Sequence, residues 1–343
     1  MKQTLKAYSA LMLVLLFVQF NLYAEEPLVE KKKTYSKSYT VSNSDVISLS
    51  NQFGEMRVNT WDRNEVKVDV TITAKGNTDE RAQEILDNIS IADGREGSGV
   101  FFKTKWKNDN NNIRKDKSKD KNDEKRDEGM TINYVVYLPS RSPVNISNQF
   151  GATIVPDLSG EAKINSQFGS LNAGNLSNVK AVSIQFGNGT IESVNDGKLD
   201  FQFNNKDIIV RRITGDVIVN VQHCKSHSVK LNVDNSIKSI SLNNSFSDVI
   251  LSVPNNLSAS YNISTSHGGF TNKSSFTISE EDENKGQKQY GPRFNHKYSG
   301  NSGGGASKIK VHTNFGDVII AHSMDVKVEA KSRVKEKKKT TVI

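Results

Sequence analysis

Through the middle of the chain apolar and polar residues alternate in short runs, and the runs recur. Lys163-Ile164-Asn165, Ala181-Val182-Ser183-Ile184, Lys198-Leu199-Asp200-Phe201, Asp216-Val217-Ile218-Val219 and Ser239-Ile240-Ser241-Leu242 set apolar residues two apart, the period of a strand with one buried face. Between the runs stands a repeated phrase: Asn51-Gln52-Phe53-Gly54, Asn148-Gln149-Phe150-Gly151, Ser166-Gln167-Phe168-Gly169 and Ile184-Gln185-Phe186-Gly187, with degenerate copies at Gln202-Phe203, Phe246 and Asn314-Phe315-Gly316. Phenylalanines 150, 168, 186 and 203 follow one another at steps of 18, 18 and 17 residues, and the 43 residues from 203 to 246 make about two coils of roughly 21.

A near-constant step of this size is one rung of a solenoid. Strands that pair with their counterparts one coil away, at ~4.8 Å, satisfy the backbone and stack like residues over like. The pattern predicts an all-β fold, a right-handed parallel β-solenoid (β-helix) over 39–322. Strict alternation along each strand makes Phe150, Phe168, Phe186 and Phe203 an inward aromatic column and sends Gln149, Gln167, Gln185 and Gln202 to the opposite face. Gly151, Gly169 and Gly187 then supply a corner, where a Cβ is costly at positive φ. A second phrase, Asp207-Ile208-Ile209-Val210, Asp216-Val217-Ile218-Val219, Asp248-Val249-Ile250-Leu251 and Asp317-Val318-Ile319-Ile320, is strand-entry chemistry. Stacked aspartates suit calcium as well as turn capping, but the glycine-aspartate nonapeptide of calcium-binding solenoids is missing, which favours capping.

Ahead of the regular block, Val66, Val68, Val70 and Ile72 alternate as a longer strand. A helix follows, with Asn77 as its cap, Glu80 three residues on, and Ala82, Ile85, Leu86 and Ile89 on one face. This short amphipathic helix is expected to cover an open solenoid end. Residues 103–128 carry ten basic and seven acidic residues and are predicted to be a disordered insertion. The strand pattern resumes at Ile132-Asn133-Tyr134-Val135-Val136-Tyr137-Leu138, and 280–308 reads as an exposed loop. Beyond His322, 323–343 is a basic tail.

The N-terminus sets the expected compartment. Lys2 and Lys6 precede an apolar run from Ala10 to Phe20, and Ala24 is followed by Glu25-Glu26. This predicts a signal peptide over 1–24 cleaved near Ala24, then a linker over 25–38. No further apolar stretch is long enough to span a membrane. The expected location is extracytoplasmic: periplasm, outer surface or secreted. A single cysteine, Cys224, rules out an internal disulfide. Hydrophobic residues make up 35% of the 343, which suits short strands and tight turns. The formal net charge of +8 is compatible with anionic glycans or membrane surface, although a solvated exterior explains it equally.

The phrase Asn51-Gln52-Phe53-Gly54, followed by Val58, Trp61-Asp62, Glu65-Val66-Lys67-Val68, the helix and the later repeats, resembles the bacterial putative-adhesin family, β-strand-repeat proteins of unknown function. The resemblance spans roughly Tyr39 to His322. It implies a parallel β-solenoid outside the cytoplasm and carries no catalytic residues over, because its motifs bear fold rather than chemistry.

Candidate chemistry is sparse. His223-Cys224-Lys225-Ser226-His227 is the one local cluster that suggests a metal site, yet side chains alternate along an extended chain, so the three ligands diverge unless a turn intervenes. The enzyme alternative is a secreted glycan-active β-helix, a polysaccharide lyase or hydrolase, with Asp200, Asp207 and Asp216 as carboxylates and Arg211-Arg212 alongside. Aromatic residues to stack on sugars are few on the expected outer positions. No glycine-flanked serine elbow, phosphate-cradling loop or aromatic-laced basic patch is present, so nucleotide and nucleic-acid partners have no support. The expectation is therefore no enzyme, no catalytic, cofactor-binding or metal residues and no cofactor. In its place stands a putative adhesin or envelope surface-binding protein whose partner is a surface ligand, glycan or envelope protein. A weaker alternative is a periplasmic scaffold or sensor that binds a protein through 103–128 and 280–308.

Overall fold

A computed structural model describes residues 28–107, 128–281 and 294–326. The expected signal peptide 1–24, most of the charged insertion and most of the basic tail lie outside these residues. Within them the chain is all-β: twenty-one strands and one helix form one large mixed sheet that does not close.

The N-terminal part is antiparallel. Strand β1 (Val29–Thr40) pairs with β4 (Glu65–Gly76), and β4 pairs with β7 (Gly129–Leu138), both antiparallel. β1 therefore occupies much of the expected linker 25–38. Its Lys31, Lys32, Lys33 and Lys37 suit this place, because an edge strand needs only one partner and carries lysine readily. The short β2 (Ile47–Gln52) and β3 (Met56–Thr60) lie between β4 and the preceding edge in sequence. Helix α1 (Asp79–Asp87) is capped by Thr78, whose Oγ1 accepts from the Arg81 N–H at 3.1 Å, rather than by Asn77. It stops before Ile89, which opens β5 (Ile89–Glu96), antiparallel to β6 (Gly99–Trp106). Lys103–Trp106 thus belong to a strand, and the insertion as predicted begins too early. The alternation of Phe102 and Thr104 with lysines, buried against exposed, is ordinary strand patterning obscured by charge.

β2, β3 and the strands between 144 and 245 stack in parallel. β8 (Val144–Gln149) lies on β2 and on β10 (Leu158–Gln167), and β9 (Ala152–Val155) lies on β3. Then come β11 (Ser170–Gln185), β12 (Asn188–Gln202), β13 (Ile208–Gln222) and β14 (Val229–Ser245), each parallel to the next. Their registers match the sequence period: Gln149 pairs with Gln167, Gln167 with Gln185, and Gln185 with Gln202. Ile146, Ile164, Val182, Leu199, Val219 and Leu242 are successive register partners, all buried. Each contributes roughly 1.5–3 kcal/mol of burial to the core that these registers line.

The C-terminal coils are out of sequence order. The chain continues through β15 (Val249–Ser252), β16 (Ala259–Ser266), β17 (Phe270–Lys273), β18 (Ile278–Glu280) and β19 (Asn295–Ser302) to β20 (Ser307–Asn314) and β21 (Val318–Ala321). β20 slots between β14 and β16, and β21 between β15 and β17. β19 runs antiparallel to β16 and β18. The expected loop 280–308 is therefore strand over 295–302. Its polar sequence reflects exposure of alternate residues in β19, not absence of structure.

Candidate functional site

The repeated phrase folds into a corner. In β10, Ile164 and Ser166 face inward and Gln167 outward. Strict alternation would put Phe168 inside, but its φ is +53°. The left-handed conformation breaks the parity and swings the ring out to 48% exposure. The same happens at Phe53, Phe150, Phe186, Phe203, Phe246 and Phe315, whose φ values lie between 52° and 63° and whose exposures run from 36% to 49%. The expected inward column is a column, but it is outside. The inward positions are taken by the residues before the glutamines, such as Asn148, Ser166, Ile184 and Phe201.

The rings stack face to face. Going up the coils, Phe53, Phe150, Phe168, Phe186, Phe203, His223, Phe246, Phe315, His267 and Phe294 stand at centroid spacings of 4.8–5.1 Å with interplanar angles of 4–16°. Trp106 meets Phe53 edge-on at the lower end. Ten rings at the strand spacing make a stripe roughly 45 Å long. A left-handed residue other than glycine costs about 1–2 kcal/mol, and each stacked pair returns about 0.5–1.5 kcal/mol. Corner hydrogen bonds supply more: Phe150 N–H donates to Gln167 O, Phe168 to Gln185 O and Phe186 to Gln202 O, at 3.0, 3.0 and 3.1 Å.

The glycines serve close approach, not positive φ. None of Gly54, Gly151, Gly169 or Gly187 has a left-handed φ. A Cβ on Gly169 would stand 1.9 Å from Gly151 O, and one on Gly187 would stand 2.2 Å from Gly169 O. Where the corner lacks glycine, a buried polar side chain fills it: Asn204 Nδ2 donates to Ile184 O at 3.0 Å, and its Oδ1 accepts from Gly187 N at 2.8 Å.

Beside the rings runs a polar ladder. Gln149 Nε2 donates to Gln167 Oε1 and Gln167 Nε2 to Gln185 Oε1, both at 3.0 Å. One row further, Asn220 Nδ2 donates to Asp200 Oδ1 at 2.6 Å and Asn243 Nδ2 to Asn220 Oδ1 at 3.0 Å. On the other flank of Phe150, Phe168 and Phe186 the glycine row floors a groove of about 520 Å³ that reaches Lys206. The surface is a set of parallel rows at one pitch. Its ring faces are consumed by one another, so it presents apolar ring edges and amides.

The other singled-out residues do not converge. His223 is a rung of the aromatic column. His227, also left-handed, faces Asp248 at 4.0 Å, and Ser226 lies between its Nδ1 and the Asp248 carboxylate. Cys224 points inward, its thiol 3.6 Å from Phe201 O. Burial pushes this thiol above its usual pKa. A maleimide is therefore expected to modify Cys224 only after denaturant unfolds the coil, which mass spectrometry across a urea series would read; labelling of the native chain within minutes would contradict the inward placement. Among the described residues no group of three histidine, cysteine or acidic side chains is placed to hold a metal.

Arg211 is ion-paired with Glu192 and Arg212 with Asp234, both at 3.1 Å. Asp200 pairs with Lys198, and Asp216 accepts from Ser239 Oγ. Asp207 is exposed just before β13, where its carbonyl accepts from Gly189 N. Four of the five residues weighed for glycan chemistry thus have separate side-chain partners, while Asp207 is held at the strand entry through its backbone carbonyl.

Sequence reasoning missed His223, His267 and Phe294 as rungs. Gln222-His223 and Ser266-His267-Gly268 echo the repeated phrase with histidine in the ring position, and histidine is among the few residues enriched at left-handed φ.

No helix among the described residues is long and apolar enough to cross a membrane. No protein-family model matches the chain, and no curated protein matches it. Several solved structures resemble it at low identity, among them the following three. A putative cell adhesion protein from Clostridium sporogenes is 11% identical, covering 85% of this chain and 99% of that one with a TM-score of 0.25. A putative adhesin from Bacteroides fragilis is 12% identical over 84% and 98%, with a TM-score of 0.39. A putative lipid binding protein from Parabacteroides distasonis is 10% identical over 84% and 96%, with a TM-score of 0.33.

Proposed function

We propose that the chain is an exported, non-enzymatic adhesin or envelope surface-binding protein, built as a right-handed parallel β-solenoid. The observation that carries this reading is the repetition of its outer surface: ten stacked rings flanked by register-matched amide rows. A repeated surface binds through many similar weak contacts and suits an extended partner, whereas catalysis needs a few groups aimed at one point. Asp200, Arg211 and Arg212 are each ion-paired with a different residue, and Asp216 accepts from Ser239.

Two measurements test the reading. Fractionation of producing cells followed by protease shaving is expected to recover the chain outside the cytoplasm; a cytoplasmic pool would defeat the exported role. A panel of acidic and neutral polysaccharides, with and without calcium, is expected to release no reducing ends or unsaturated sugars. Turnover that vanishes in Asp207→Ala, Asp216→Ala or Arg211→Ala would instead establish the glycan-active enzyme, since losing one catalytic group typically removes orders of magnitude in rate.

A further inference from the structure

We propose that the aromatic column is a homotypic interface, on which a second copy of this chain docks with its own column antiparallel to the first. The inference rests on the same exposed column that carries the adhesive reading, but it needs neither export nor an external ligand, so sedimentation and cell fractionation test the two separately. Eight phenylalanines exposed by 36–51%, at about 200 Å² per side chain, leave roughly 700 Å² of aromatic surface along one stripe, interrupted by His223 and His267. This exceeds the ~300–600 Å² of the largest patch on a typical monomer and approaches the ~800 Å² that each partner gives to a stable interface.

Three features select the occupant. The ring faces are covered by neighbouring rings at 4.8–5.1 Å, so a sugar finds no face to stack on. The corner N–H groups are already donated to the next coil, so an added peptide strand finds no ladder. What matches a row of apolar edges at this pitch is another row at the same pitch, and a second copy supplies it. Direction follows from the two histidines. With the columns antiparallel and centred, Phe203 faces His223 and Phe150 faces His267, so each imidazole meets a phenyl edge. Parallel columns would oppose His223 to His223. In the antiparallel arrangement the amide rows also face one another, with Gln202 opposite Gln222, and form the polar rim.

Sedimentation velocity on the full chain, purified as the expressing cell processes it, tests the proposal. A dimer is expected at micromolar concentration. Phe168→Asn with Phe186→Asn, asparagine being tolerated at left-handed φ, is expected to raise the dissociation constant about 100-fold or more. Circular dichroism verifies that this variant is folded. Gln202→Glu with Gln222→Glu sets carboxylates opposite one another across the interface and also side by side within each chain; with its fold verified by circular dichroism at each salt concentration, it is expected to weaken the dimer at low salt and to recover as salt is added. A wild-type chain that stays monomeric at ~100 μM overturns the proposal. So does a dimer whose constant is unchanged in both folded variants. A monomer that co-sediments with phosphatidylcholine vesicles only while Phe168 and Phe186 are intact also overturns it, assigning the stripe to acyl chains instead.

Discussion

Replacing Gly151 by alanine is expected to cost ~3 kcal/mol or more, among the largest effects of any single methyl group in this chain. The added Cβ would stand 1.9 Å from Gly54 O, and the neighbour is backbone. Neither side can give way. Gly54 is itself seated against Ile132 O, Gly169 is seated on Gly151, and the flanking β8 and β10 are locked in register. A shift at one corner must therefore propagate along the column. Gly97→Ala provides the comparison: there φ is +58° and nothing lies within 4 Å, so only the backbone cost of about 1 kcal/mol applies. Urea denaturation of both variants checks the contrast. A larger loss at Gly97 than at Gly151 would mean that coil spacing, and with it the stacked corner, is wrong.

The parts of this fold that were legible in the sequence are those set by local period. The 18-residue step fixed which glutamine pairs with which, and the alternation of Val182 with Ser183 or Leu199 with Asp200 fixed which side faces the core. Parity failed at the phenylalanines because one left-handed residue inverts side-chain direction, and alternation alone cannot see it. The histidines held a clue. A buried aromatic column would not readily accept His223, whereas an exposed left-handed corner would. The threading of β20–β21 between earlier coils was out of reach, because a search for periods assumes that coils stack in the order of synthesis. The exposed aromatic stripe was illegible for a related reason: it was read as core. Charge hid β6, where lysines on the open side look like an insertion unless the partner strand is known.

Phe201 and Phe203 flank Gln202 in a single stretch of chain, and they are expected to differ sharply when replaced. Phe201 is fully buried in β12, paired with Ile184 on one side and Val221 on the other. Phe203 is 45% exposed at φ +56°, stacked between Phe186 and His223, each at 5.1 Å. Truncating Phe201 to alanine empties a ring-sized volume from the core and is expected to cost ~3–5 kcal/mol. Truncating Phe203 forfeits two ring contacts, about 1–2 kcal/mol together. Aspartate widens the gap. At 201 it places a carboxyl among Ile184, Val221 and Leu199 with no cation in the row, and the coil is expected to unfold. At 203 the carboxylate reaches water, and aspartate tolerates the left-handed backbone. Phe203→Asp is therefore expected to remain folded at 25 °C with a lowered urea midpoint, while Phe201→Asp lacks a cooperative transition. Equal sensitivity at the two positions would return the ring column to the interior and remove the exposed stripe on which both the adhesive and the homotypic readings stand.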